Sequence, residues 1–108
     1  MAKIANREAR EHVQKRKPFT GNNLFGNVVI GLDKKLRYVV YSYGKHWPLF
    51  IYDNQTERWY ENKSKYGVTT SKHHSQAHPL CTTTPLHVDD MVKVVSGGIT
   101  AIIEGVTV

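Results

Sequence analysis

The sequence predicts an α+β domain: a small antiparallel β-meander of four to five strands, a C-terminal helix, and a basic N-terminal helix or arm. Three observations carry this. Residues 27–61 hold four runs rich in β-branched and aromatic side chains, joined by short polar connections. Residues 88–95 repeat apolar side chains at helical spacing. Residues 1–20 are strongly basic and carry only a thin apolar stripe. The division expected is therefore a basic segment over 1–20 and one α+β domain over 21–108, a size suited to one modest core.

In the N-terminal segment Asn6 is a suitable N-cap, and Glu8–His12 and Glu11–Lys15 fall at the favourable i,i+4 spacing. Ile4, Ala9 and Val13 form the apolar stripe, and Pro18 ends the helix. Such a segment either docks weakly or extends as an arm that orders on a partner.

The meander is predicted over 27–32, 36–43, 47–53 and 56–61. Connections this short require neighbouring strands to be antiparallel, because parallel pairing needs a long crossover. Gly44 is the position where a positive φ costs least. Parity places Leu36, Tyr38, Val40 and Ser42 on one face and Arg37, Val39, Tyr41 and Tyr43 on the other. Both faces are apolar or aromatic. One is expected against helices; the other, richer in Tyr, is either covered too or a binding surface, and a homodimer is one way to cover it.

Residues 62–84 contain few large aliphatic side chains, so they read as a polar loop. Residues 68–71 suit an extended run, and Ser71 is placed to cap a short helical turn over 72–77, stopped by Pro79. Further on, Val88, Met91, Val92 and Val95 mark a helix with Thr84 as N-cap, Pro85 at its first position and Gly97-Gly98 at its end. Residues 99–104 then read as a strand.

The net charge of +6 favours polyanionic partners. It is unevenly spread: six Lys/Arg stand against Glu8 and Glu11 in residues 1–20, a net +4. A single cysteine, Cys81, excludes an intramolecular disulfide. The longest apolar runs, such as residues 47–52, are too short to span a bilayer, and no apolar segment follows the basic N-terminus as a signal peptide requires. The expectation is a cytoplasmic protein with no membrane partner.

Two constellations can carry binding chemistry. Nine of the eleven aromatics lie between Tyr38 and Tyr66, and Tyr41, Tyr43 and Trp47 with nearby cations suit a stacking platform for unpaired bases. The polar stretch gathers Thr70, Ser71, Lys72 and His73, the donor types a phosphate needs. It matches no phosphate-loop pattern, lacking a glycine-rich run before Gly-Lys-Ser/Thr. His74 and His78 share i,i+4 spacing, but no glutamate stands in the metalloprotease position and Cys81 is the sole thiol, so neither metal nor cofactor is assigned. An enzyme reading, with His73 or His74 as a general base on a phosphodiester, lacks an evident carboxylate cluster for a metal ion and is the weaker one.

The runs Tyr38-Val39-Val40-Tyr41-Ser42-Tyr43, Pro48, Trp59 and Lys65-Tyr66, leading into Val68-Thr69-Thr70-Ser71-Lys72-His73-x-Ser75, resemble small proteins of bacteriophages and bacterial mobile elements. The resemblance covers roughly residues 38–78, and its most specific part is Thr-Thr-Ser-Lys-His. The family pattern often has Gln after that His, where this chain has His74. It implies a phage-like source, hence the host-cell cytoplasm, and supplies no activity.

The function expected is a non-enzymatic module that recognises nucleic acid or another polyanion. Thr70, Ser71, Lys72 and His73 would contact phosphate, Tyr41, Tyr43 and Trp47 form the platform, and Arg10, Arg16 and Lys17 act as a salt-sensitive arm. The alternative is an interaction or inhibitor module on an acidic host protein, with the same Tyr, Trp and Arg side chains as interface anchors.

Overall fold

The computed structural model describes residues 2–64 and 67–96. The strand expected at 99–104, the Gly97-Gly98 helix stop and the Lys65-Tyr66 pair lie outside the described residues. The fold is α+β. Its sheet is mixed and has seven strands in chain order among the described residues. They are β1 (Ala2–Lys3), β2 (Phe19–Thr20), β3 (Leu24–Ile30), β4 (Leu36–Ser42), β5 (Pro48–Asp53), β6 (Arg58–Asn62) and β7 (Thr84–Leu86).

The four-strand meander is present as β3 to β6, each pair antiparallel. Its first strand starts at Leu24, three residues before the expected position, because Asn23 makes the preceding turn with a left-handed φ of 56° and Gly21 N–H donates to Leu24 O at 2.6 Å. The sheet is not purely antiparallel. Its outermost pairs, β1 with β2 and β6 with β7, are parallel. The second is made possible by a helix, α2 (Val68–Ala77), which forms the crossover between β6 and β7.

Parity along β4 resolves as the sequence suggests, and both faces are covered. Tyr38 and Val40 join Phe19, Leu24, Leu49, Phe50 and Trp59 in a core beneath α1 (Ala9–Gln14) and α2, which contribute Ala9, Val13 and Ala77. Val39 and Tyr41 join Ile51 and Tyr60 beneath α3 (Val88–Ser96), which contributes Met91 and Val94. Each large side chain so enclosed contributes about 1.5–3 kcal/mol relative to exposure.

Two helix boundaries differ from expectation. Thr84 and Pro85 belong to β7, and α3 begins at Val88. The Val88 N–H donates to Ser64 Oγ at 2.8 Å and the Asp89 N–H to His87 Nδ1 at 3.2 Å, so Ser64 and His87 do the capping expected of Thr84. Its inner face runs through Met91 and Val94 rather than Val92, which is exposed. Ahead of α1, Asn6–Glu8 form a single 3₁₀ turn. Asn6 does not cap a helix there. Its amide accepts from Asn22 N–H at 2.8 Å and donates to Asn22 O at 2.9 Å, fastening this turn to the β2–β3 connection. The basic N-terminal segment is thus built into the sheet and the first core.

Arg37, on the α3 side of β4, is fully buried and bonds Asp33 through both terminal nitrogens, at 3.0 and 2.7 Å. Those bonds hold the Asp33 carboxyl at about 2. Asp33→Asn leaves the guanidinium without that partner and should lower stability by about 3 kcal/mol, read as a lower denaturation midpoint. In the unmodified protein the pair's contribution is complete above the ordinary carboxylate value of 3.8 and fades as the pH falls toward 2.

Candidate functional site

Helix α2 is the centre of the site. The sequence reads residues 68–71 as extended, whereas the helix already begins at Val68, with Gly67 as an extended N-cap (φ −71°, ψ 172°) and no side-chain cap. Ser71 therefore stands inside the helix and caps nothing; its N–H donates to Gly67 O at 2.9 Å. Only His73 and Ala77 are buried along this helix, which is why it carries no apolar stripe.

One flank of α2 faces the 3₁₀ turn across a cleft of about 580 Å³, lined by Asn6, Arg7, Asn22, Thr69, Lys72, His73 and Gln76 with Ala5. Among the described residues the lining includes two cations and no carboxylate. Gln76 Oε1 is enclosed and has no hydrogen-bond partner among the described residues. His73 is turned inward: its Nδ1 lies 2.8 Å from Ser42 Oγ, and the ring is almost fully buried at the cleft floor. Burial, with Lys72 beside it, holds the His73 imidazole below its ordinary value, so it is neutral at pH 7 and presents no charge of its own.

The other flank, at the helix start, borders a smaller cleft of about 290 Å³ lined by Ser42, Tyr43, His46, Trp47, Gly67 and Thr70. Ser42 joins the two flanks, because its hydroxyl also donates to Thr70 Oγ1 at 3.3 Å. Tyr43 lies past the end of β4 with φ 67°, so the left-handed residue of this turn is Tyr43 and not Gly44. A bulky side chain at positive φ costs about 1–3 kcal/mol and persists only where its surroundings impose it. Here the Tyr43 N–H donates to Asn23 O at 2.8 Å, and the half-exposed ring leans on His73 with centroids 5.6 Å apart.

Lys72, His73, Thr70, Tyr43 and Trp47 are thus brought together around the first two turns of α2. The remaining sequence-derived candidates are not. Tyr41 is core, packed against Phe25 with ring centroids 5.3 Å apart. Ser71 is exposed and lines neither cleft. Arg16 sits over the Tyr52 ring at 4.5 Å, and Lys17 is exposed with its carbonyl accepting from Tyr38 Oη. Arg10 ties helices together, donating through Nε to His78 O at 2.9 Å and through a terminal nitrogen to Ser75 O at 2.6 Å. Sequence reasoning passed over Arg7, Asn6 and Asn22, which come from separate segments and carry no shared spacing.

The far end of α2 is anchored by Glu61, whose Oε2 lies 2.9 Å from His74 Nε2 and whose Oε1 lies 3.2 Å from His78 Nε2. The Leu80 N–H donates to His78 Nδ1 at 2.9 Å, so His78 carries its proton on Nε2 and donates it to Glu61. Burial works to raise the Glu61 carboxyl, but the Thr83 hydroxyl and the two imidazoles outweigh it and hold it below its ordinary value. Burial pushes His74 down against the opposing pull of Glu61. Among the described residues no group of three or more His, Cys, Asp or Glu is placed to hold a metal ion.

No protein-family model, no curated protein and no solved structure matches this chain.

Two outcomes follow from this geometry. Arg10→Ala removes two charge-assisted bonds, to the Ser75 carbonyl of α2 and the His78 carbonyl just beyond it, and should cost about 2 kcal/mol in a denaturant titration, an effect a free arm would not produce. The depressed values of His73 and His74 mean that the folded state resists protons the unfolded chain accepts. Stability from these groups is therefore complete above the ordinary value of 6.5 and is lost as the pH falls below it. The denaturation midpoint should drop between pH 7.5 and 5, and a His73→Gln, His74→Gln double variant should flatten that dependence.

Proposed function

We propose that the protein is a non-enzymatic binding module for nucleic acid or a similar polyanion, with a phosphate group seated between Arg7 and Lys72. The observation that carries this reading is the cleft itself: two cations and several neutral donors line it, and among the described residues the lining includes no carboxylate, the nearby Glu8 carboxylate being engaged by the Ala5 N–H at 3.0 Å. Asn6 and α2 hold its walls at a fixed spacing, so little ordering is needed on binding. A volume of about 580 Å³ suits one nucleotide unit rather than a duplex.

Tyr43 and Trp47, on the other flank of α2, favour single strands, since unpaired bases can stack on aromatic rings while paired ones cannot reach them. A phage or mobile-element source, as the resemblance implies, would expose such a module to host nucleic acid.

Fluorescence anisotropy with a labelled single-stranded oligonucleotide at two salt concentrations tests the reading. Affinity should be micromolar or tighter and fall steeply with salt. Lys72→Ala should weaken it roughly tenfold and make the logarithmic salt slope shallower by about 0.7, with the melting temperature unchanged because the side chain is exposed. Tyr43→Gly should relieve the backbone and still lose affinity. Absence of binding at low salt overturns the proposal and favours an interaction with a host protein instead.

A further inference from the structure

The sheet face beneath α1 and α2 is buried over only part of its length. Leu24, Tyr38 and Val40 are enclosed there. Val28, the cross-strand partner of Tyr38, is 47% exposed, and Ile30 and Leu36, which pair with each other, are 70% and 44% exposed. The reason lies at the end of α1. Arg16 takes a left-handed φ of 54°, and the N–H groups of Arg16 and Lys17 donate to Val13 O and His12 O, so the helix is capped and the chain turns down into β2. Lys17 stops over Tyr38, whose Oη donates to the Lys17 carbonyl at 2.8 Å, and Arg16 stops over the Tyr52 ring. Apolar side chains thus stand exposed just beyond two cations.

The shape and charge of this strip select its occupant. It lies at the foot of a step, because α1 stands about 10 Å above the sheet. Its floor runs about 10 Å along β3 and about as far across to β5, the width of one helix. Arg16 and Lys17 border it on the α1 side, and exposed Lys34 and Lys35 lie in the turn that joins β3 to β4. Of the described carboxylates at this end of the sheet, Asp33 is committed to Arg37, Asp53 is buried, and Glu57 lies in the β5–β6 turn beside Arg58. The step holds a planar bilayer off the strip, and a second copy would bring a like-charged rim against this one. A helix fits beside α1 in the same layer, and acidic side chains flanking its apolar stripe complement the rim.

We propose that this strip docks an acidic amphipathic helix of a partner protein. The helix lies beside α1, with its apolar stripe on Val28, Ile30 and Leu36 and its carboxylates toward Arg16, Lys17, Lys34 and Lys35. It completes the helical layer that α1 and α2 leave short, which is the ordinary way for a sheet face to be covered. Apolar contact supplies the affinity, and the cationic rim sets the preference for an acidic partner. The strip shares no residue with the lining of the α2 cleft, so the inference goes beyond the polyanion reading and does not rest on it.

Nuclear magnetic resonance on the full-length chain tests it. The probe is a synthetic helix of about 18 residues with Leu at i, i+3, i+4 and i+7 and Glu opposite, compared with a counterpart carrying Lys for Glu. The acidic peptide should shift the resonances of residues 28–36, and the basic one should not. Ile30→Ser should weaken that binding tenfold or more with the melting temperature unchanged, as should the double variant Lys34→Glu, Lys35→Glu. Lys72→Ala should leave it intact. In the free protein a soluble gadolinium chelate should broaden the methyl signals of Val28, Ile30 and Leu36. No shift with the acidic peptide, equal shifts with the basic one, shifts confined to the α2 cleft, or methyls shielded in the free protein each overturn the proposal. So does binding to phosphatidylserine vesicles that Ile30→Ser abolishes, which assigns the strip to a membrane, or a dimer that Ile30→Ser dissociates, which assigns it to a second copy.

Discussion

Strand β4 is buried on both faces, and most of the architecture follows from that constraint. Tyr38 and Val40 on one side and Val39 and Tyr41 on the other leave no face for water. A meander of four strands cannot cover itself twice, so the chain must supply helices to each side. It does so with short helices from three separate stretches: α1 before the meander, α2 within the crossover to β7, and α3 beyond it. Arg37 is the one charged side chain of β4, and the Asp33 carboxylate in the preceding turn makes its burial tolerable.

The same constraint assigns the basic N-terminal residues their roles. Covering the first face brings Ala9 and Val13 inward, which turns Arg10 toward the carbonyls of Ser75 and His78 at the end of α2 and sets Gln14 Nε2 3.0 Å from Pro79 O. The 3₁₀ turn ahead of α1 is then held opposite the outer flank of α2, and the space between them is the cleft. The positive charge of this segment serves two purposes. Arg10 fastens helices, while Arg7 is left at the cleft wall. A charge count over residues 1–20 cannot separate these roles, because the separation depends on where α2 lies.

The meander was legible in the sequence because strand alternation is a local signal, and β4 parity assigned its two core faces correctly. Helix α2 was not legible as a helix from Val68. With only His73 and Ala77 inward it shows no apolar period, and Thr69, Thr70 and Ser71 suit extended chain as well as helix. The edge strands β1, β2 and β7 span two or three residues each, too few for any period to register. Within the site, Lys72, His73 and Thr70 could be singled out by residue type, whereas Arg7 and Asn22 could not. Their relevance arises only when the Asn6 side chain joins two segments 16 residues apart. The inward turn of His73 was equally hidden, since it depends on Ser42 across the sheet.

Helix α2 belongs to the cleft and to the fold at once, and this links them physically. Its first two turns present Lys72 and Thr69 to the cleft, while its last turn is held by Glu61 through His74 and by Arg10 through the Ser75 carbonyl. At ten residues the helix is too short to be stable alone, so its position rests on those anchors and on Ala77. His73 extends this linkage into the sheet: it meets Ser42 at the end of β4 and the Tyr43 ring just beyond. Cleft, turn and helix anchor all meet on this one helix, so its ten residues position the three together.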